Sequence, residues 1–234
     1  MVDEKVAIIT GASHGIGAGL VAAYRDAGFK VIASSLSIER GTDSNVLNVT
    51  GDISNPKTAD RIMSEGVDKF GRLDTLVNNA GAYISKPFTQ YTPAEYDLML
   101  STNLAGFFHI TQRAMRVMEA QGWGHIVNIT ATVAEQPVKG VPAALASLVK
   151  GGLNSVTKAL AIEYASCGIR VNAVSPIIIR THPEASYAGL KSQIPLGRIG
   201  EIQDVVSAVM YLENAPYVTG EISHVDGGQS AGHW

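Results

Sequence analysis

The stretch from Thr10 to Gly17 reads T-G-A-S-H-G-I-G, a pattern suited to holding a phosphate with backbone rather than side chains. Glycine reaches positive φ without a steric penalty and lets a ligand oxygen approach the main chain. A helix N-terminus adds unpaired N–H groups and the positive end of a dipole. In this reading Gly11 makes the turn, Gly15 admits a pyrophosphate, and Gly17 lets helix and strand pack closely. A tight turn with no ligand is the alternative for three glycines alone.

The phosphate reading requires a strand before the glycines and a helix after them. Val6-Ala7-Ile8-Ile9 is a short β-branched run suited to a buried strand, and residues 20–27 read as helix. Further strands are expected over 29–33, 46–49, 73–78, 125–130, 170–174 and 222–225. Helices are expected over 56–70, from 93 to about 118, over 143–165 and over 202–212. Pro56 sits in a first helical turn, and Gly28 is a helix C-cap. Strands separated by helices imply parallel pairing. The expected fold is α/β, a single-domain, Rossmann-like doubly wound sheet over residues 1–234 with its ligand at the carboxyl ends of the strands.

Composition narrows the function classes. At 234 residues the chain suffices for one α/β domain with a sizeable core, and 46% hydrophobic residues are too many for disorder. A net charge of −3 without a Lys/Arg cluster argues against a nucleic-acid surface. The single cysteine, Cys167, excludes an internal disulfide framework and fits a reducing compartment. The opening M-V-D-E-K is unlike a signal peptide, and no apolar run is long enough to span a bilayer. A cytoplasmic protein with no metal site and a small-molecule ligand is expected.

Several motifs then occur in order: the glycine turn, Asp52-Ile53, N-N-A-G at Asn78 to Gly81, and Asn103 in S-T-N-L-A-G. They continue with Lys150, R-V-N-A-V-S-P at Arg170 to Pro176, and V-D-G-G ending at Gly228. Across nearly its full length the chain resembles the short-chain dehydrogenase/reductase family. The resemblance implies a nicotinamide dinucleotide cofactor. It assigns the pyrophosphate to Gly11, Ser13, Gly15, Ile16 and Gly17, the adenine to Asp52 and Ile53, and the adenosine ribose to Asn79, Ala80 and Gly81. Lys150 is assigned to the nicotinamide ribose, and Pro176 and Thr181 to the nicotinamide loop. An NAD site usually carries an acidic residue at the end of the second strand. This chain has Ser34 and Ser35 within Ser34 to Ser37, with Arg40 beyond and His14 in the glycine turn, so NADP(H) is expected over NAD(H). The alternative is that these serines are polar loop residues.

The resemblance also predicts a tyrosine four residues before the lysine, but that residue is Ala146. Where the family has a catalytic serine after the fifth strand, the chain reads N-I-T-A-T. Thr130 or Thr132 is then the candidate hydroxyl, unless both are ordinary strand-end threonines. Ile177 replaces the usual glycine after Pro176, either narrowing the pocket or being accommodated. Substitute acids near the site mouth are Tyr83, Glu135, Lys139, His182 and Tyr187, while Asn103, a water and Lys150 offer a weak proton path. The catalytic candidates are thus Asn103, Lys150 and Thr130. Two functions follow: an oxidoreductase that works without the tyrosine, for instance on an iminium ion, or a nucleotide-binding pseudoenzyme. The resemblance further implies a homodimer or homotetramer built on the helices around 106–118 and 143–165.

Overall fold

Every residue of β1 (Val6–Thr10) is buried, a pattern found in strands covered on both faces. Side chains alternate across a strand, so Val6 and Ile8 enter one apolar core while Ala7 and Ile9 enter another on the opposite face. The structure, a computed structural model, describes residues 4–39, 41–181, 187 and 189–232.

Seven parallel strands form the central sheet. After β1 come β2 (Lys30–Ser35), β3 (Val46–Thr50), β4 (Thr75–Asn78), β5 (Gly124–Ile129) and β6 (Ile169–Pro176). Two short strands, β7 (Ile179–Arg180) and β8 (Gly200–Glu201), pair separately, and β9 (Ile222–Val225) closes the main sheet. The order is β3-β2-β1-β4-β5-β6-β9. The chain therefore runs outward from β1 to β3 and returns to β4 on the other side of β1. At that reversal the loops after β1 and β4 diverge, leaving the crevice where doubly wound sheets bind ligands.

Helix α1 (Gly15–Asp26) belongs to one face, with Leu20 and Tyr24 in its core. A helical run over 56–70 comprises α2 (Pro56–Arg61), a π-helical segment Ile62–Val67 and α3 (Asp68–Phe70). The expected helix from 93 to 118 is likewise interrupted: α4 (Pro93–Leu100) passes through a π-helical turn, Ser101–Ala105, into α5 (Gly106–Gln121). Helix α6 (Ala144–Glu163) follows β5, and α7 (Ile202–Glu213) returns to the α1 face. The β7–β8 pairing was not anticipated, because two-residue strands leave no periodicity to read.

At the amino ends of the strands lies a buried polar network. Glu213 Oε2 accepts from Tyr24 Oη at 3.2 Å, from Thr75 Oγ1 at 2.9 Å and from His125 Nδ1 at 3.0 Å. Burial pushes His125 below the ordinary histidine value of 6.5, against the opposing pull of Glu213. Burial also pushes Glu213 up, but hydrogen bonds from His125 and Thr75 outweigh it and hold the carboxylate below its usual range. Both groups bind fewer protons folded than unfolded, so stability rises with pH across their windows. The melting temperature should be highest above pH 6.5 and fall as pH drops toward the lowered native values. A melting temperature flat from pH 8 to pH 5 would contradict this reading of the network.

Candidate active site

The glycine turn joins the carboxyl end of β1 to α1. Gly11 and Gly15 have φ of +65° and +56°, a region that disfavours any side chain. Gly17 is ordinary helix backbone, yet a Cβ there would lie 2.1 Å from the Gly11 carbonyl oxygen. Asn79, just after β4, locks this approach: its Nδ2 donates to the Thr10 carbonyl at 2.9 Å and to the Gly11 carbonyl at 3.1 Å. Thr10 Oγ1 in turn accepts from the backbone N–H groups of Asn79 and Ala80, both at 3.0 Å. The first turn of α1 contains no acidic residue and no side-chain cap bond from His14. Its orphan N–H groups therefore face the loop ready for an anion, and the cradle fits a dinucleotide pyrophosphate.

A cleft of about 530 Å³ opens beside the turn. Ile16, Asn79 and Gly81 line one end, and Ala131, Val133 and Tyr83 are among the residues along its walls. Lys150 is the one charged side chain among its described lining residues. The lysine comes from the buried face of α6, is 9% exposed, and donates from Nζ to the Ile129 carbonyl at 2.9 Å. Burial lowers its pKa to about 8. Asn103, on the π-helical turn, donates to the carbonyls of Ala82 at 3.0 Å and Met99 at 2.8 Å. Its Oδ1 is buried with no hydrogen-bond partner among the described residues. A Cβ built on Gly81 would lie 2.9 Å from that Oδ1 and 3.2 Å from Lys150 Nζ. Gly81 thus brings the two polar groups together, a role that the N-N-A-G pattern alone does not reveal.

The remaining expected residues divide. Ser13 Oγ lies 2.8 Å from Ser35 Oγ and 3.0 Å from His14 Nδ1, so three of the cofactor candidates form one polar rim. Ser34 instead is 1% exposed within β2, which leaves the rim to its neighbours. Asp52 is exposed and caps its own turn by accepting from Ser54 N at 2.9 Å, while the Ile53 side chain is committed to the core against Gly106. Pro176 and Thr181 line the cleft, with Thr181 packed over Gly15. Arg40 and His182 lie outside the described residues.

Thr130 lines the cleft. Its Oγ1 donates to the Val174 carbonyl at 3.4 Å and that of Thr132 to the Ser175 carbonyl at 3.1 Å, so each hydroxyl proton points to β6. Ile177 has an ordinary backbone, since no described non-glycine residue has positive φ, and it is among the residues lining the cleft. Of the substitute acids, Tyr83 and Tyr187 line the cleft. Glu135 is paired with His224 at 2.5 Å, and Lys139 borders a neighbouring cavity. Ala146 is fully buried in an apolar cluster with Met99, Val133 and Val149. Among the described residues no cluster of His, Cys, Asp and Glu could hold a metal, and no helix is long and apolar enough to cross a membrane.

A family profile described as enoyl-(acyl carrier protein) reductase matches residues 11–230. The chain is 34% identical over 240 residues to 3-oxoacyl-[acyl-carrier-protein] reductase FabG of Escherichia coli (strain K12), covering 97% of each chain. A crystal structure of 3-ketoacyl-(acyl-carrier-protein) reductase from Brucella melitensis complexed with NADH superposes with a TM-score of 0.90 at 30% identity, over 98% of this chain and 100% of that one. A structure of ElxO with NADP bound gives the same TM-score at 28% identity, with the same coverage.

The glycine turn makes a direct prediction. Gly17→Ala puts a methyl group against the Gly11 carbonyl and the Asn79 amide, and neither is free to move. Nucleotide binding, followed by cofactor fluorescence, should be lost together with about 1–3 kcal/mol or more of stability. Unchanged binding and melting would show that helix and turn are not in this close contact.

Proposed function

The chain belongs to the short-chain dehydrogenase/reductase family, and from that premise we propose an NADP(H)-dependent oxidoreductase whose hydride step runs without a tyrosine acid. The observation that carries the reading is Ala146, buried one helical turn before a desolvated Lys150 beside an intact cofactor cradle. When bound, the nicotinamide supplies a hydride. The loop N–H groups of α1 hold the pyrophosphate, the Ser13–Ser35–His14 rim meets the 2′-phosphate, and Lys150 donates to the ribose hydroxyls. No acidic side chain stands at the end of β2 to repel that phosphate, which supports NADP(H) over NAD(H).

Reducing a ketone, as the name of the E. coli relative implies for that protein, leaves an alkoxide that needs a proton. Lys150, titrating near pH 8, can supply it directly or through a water held by Asn103 Oδ1. An iminium acceptor needs no proton, because hydride addition gives a neutral amine. The apolar walls of the cleft favour a hydrocarbon frame around either group, and Tyr83 is an aromatic residue among them, a type that attracts cations. The exposed Phe108, Leu148 and Ile162 of α5 and α6 support a homodimer or homotetramer on these helices, which light scattering reads directly.

Matched cyclic imines and ketones, assayed with NADPH and NADH in parallel, test the proposal. Imines should turn over faster than ketones, NADPH should bind more tightly than NADH, and ketone turnover should fall as pH rises through about 8, where Lys150 loses its proton. Turnover of an N-alkylated iminium, whose charge does not titrate, should hold or rise over the same range, because the neutral amine no longer repels a cation. Ketone turnover without imine turnover would overturn the substrate reading. Cofactor binding without turnover of either class would favour a nucleotide-binding pseudoenzyme.

A further inference from the structure

The Lys150 amine, which the proposed hydride reaction uses only as a hydrogen-bond and proton donor, is also a nucleophile. It borders the cleft, donates to one carbonyl, and has no carboxylate or second charged group among the described residues lining that space. The position one helical turn earlier is the small, buried Ala146, so no side-chain hydroxyl from there covers the amine. Asn103 Oδ1, buried and without a partner among the described residues, lies beside the same Gly81 backbone.

We propose that Lys150 is a covalent carbonyl-binding group, whose amine condenses reversibly with uncharged apolar aldehydes entering the cleft. The Nζ lone pair adds to the carbonyl carbon as the C=O π pair moves to oxygen, and the proton shed by nitrogen passes to that oxygen, giving a carbinolamine. The nitrogen then expels the hydroxyl as water and forms C=N, so amine plus aldehyde gives imine plus water with no oxidation or reduction. The lining by Val133, Val138, Val141 and Leu190 selects an apolar aldehyde over a charged one. Burial that brings Lys150 to about pH 8 supplies neutral amine at pH 7, where an ordinary exposed lysine has almost none.

The test treats the purified, cofactor-free chain with benzaldehyde at pH 7, reduces it with borohydride, and maps benzylated lysines by peptide mass spectrometry. Lys150 should label at least about tenfold faster than any exposed lysine, because it borders the apolar cleft that collects the aldehyde and carries more neutral amine at pH 7. Lys150→Arg should lose that label alone. Label confined to exposed lysines, with Lys150 unmodified, overturns the proposal. The labelling is read without cofactor and does not rest on the oxidoreductase reading. A chain that labels at Lys150 but fails to bind NADPH counts against that reading only, and one that binds NADPH but does not label counts against the imine only.

Discussion

The close approach of the first and fourth strands' loops, locked by the Asn79 amide on the Thr10 and Gly11 carbonyls, is the constraint on which the site depends. It holds the glycine turn open toward the crevice and fixes where α1 begins. It also fixes the course of the chain through Gly81, which brings Asn103 and Lys150 to one point. The three glycines 11, 17 and 81 share one reason for being glycine: at each, backbone or polar atoms already occupy the place of a Cβ. Removing side chains from the carboxyl edge of the sheet makes room for a ligand and leaves the chemistry to groups contributed by helices.

Seen this way, the two ends of the sheet have separate tasks. The amino ends carry the buried His125–Glu213 network, whose bonds are satisfied inside the protein. Among the described residues, the carboxyl ends gather unsatisfied groups: the first-turn N–H groups of α1, Asn103 Oδ1, and an ammonium with a single protein acceptor. Unsatisfied buried polar groups cost stability, and their concentration on one side marks where a ligand completes the structure.

The fold was legible because β-branched apolar runs alternate with helical segments, and both signals are local. Residues 6–10, 125–129 and 222–225 lie as strands close to where the sequence puts them. What escaped depends on pairing between distant elements. The hydroxyl proton of Thr130 is directed by its neighbour β6, and Ser34 faces inward because of the β1–β2 register. The π-helical turn that seats Asn103 has no composition signal, and the clamp made by Asn79 depends on β1 and β4 lying side by side. The alanine at 146, by contrast, is visible in the sequence, and the structure adds that its surroundings are apolar and closed.

In the function proposed for this chain, a buried alanine one turn before Lys150, rather than any defect in the cofactor cradle, sets the chemistry. This is tested most directly by measuring ketone turnover with NADPH for the natural chain and for Ala146→Tyr, side by side, with melting temperatures recorded for both. Restoring a positioned acid should raise ketone turnover by about 10²–10⁴-fold in a variant that still folds and binds the cofactor. Equal ketone turnover by a folded, cofactor-binding Ala146→Tyr and the natural chain would contradict the account.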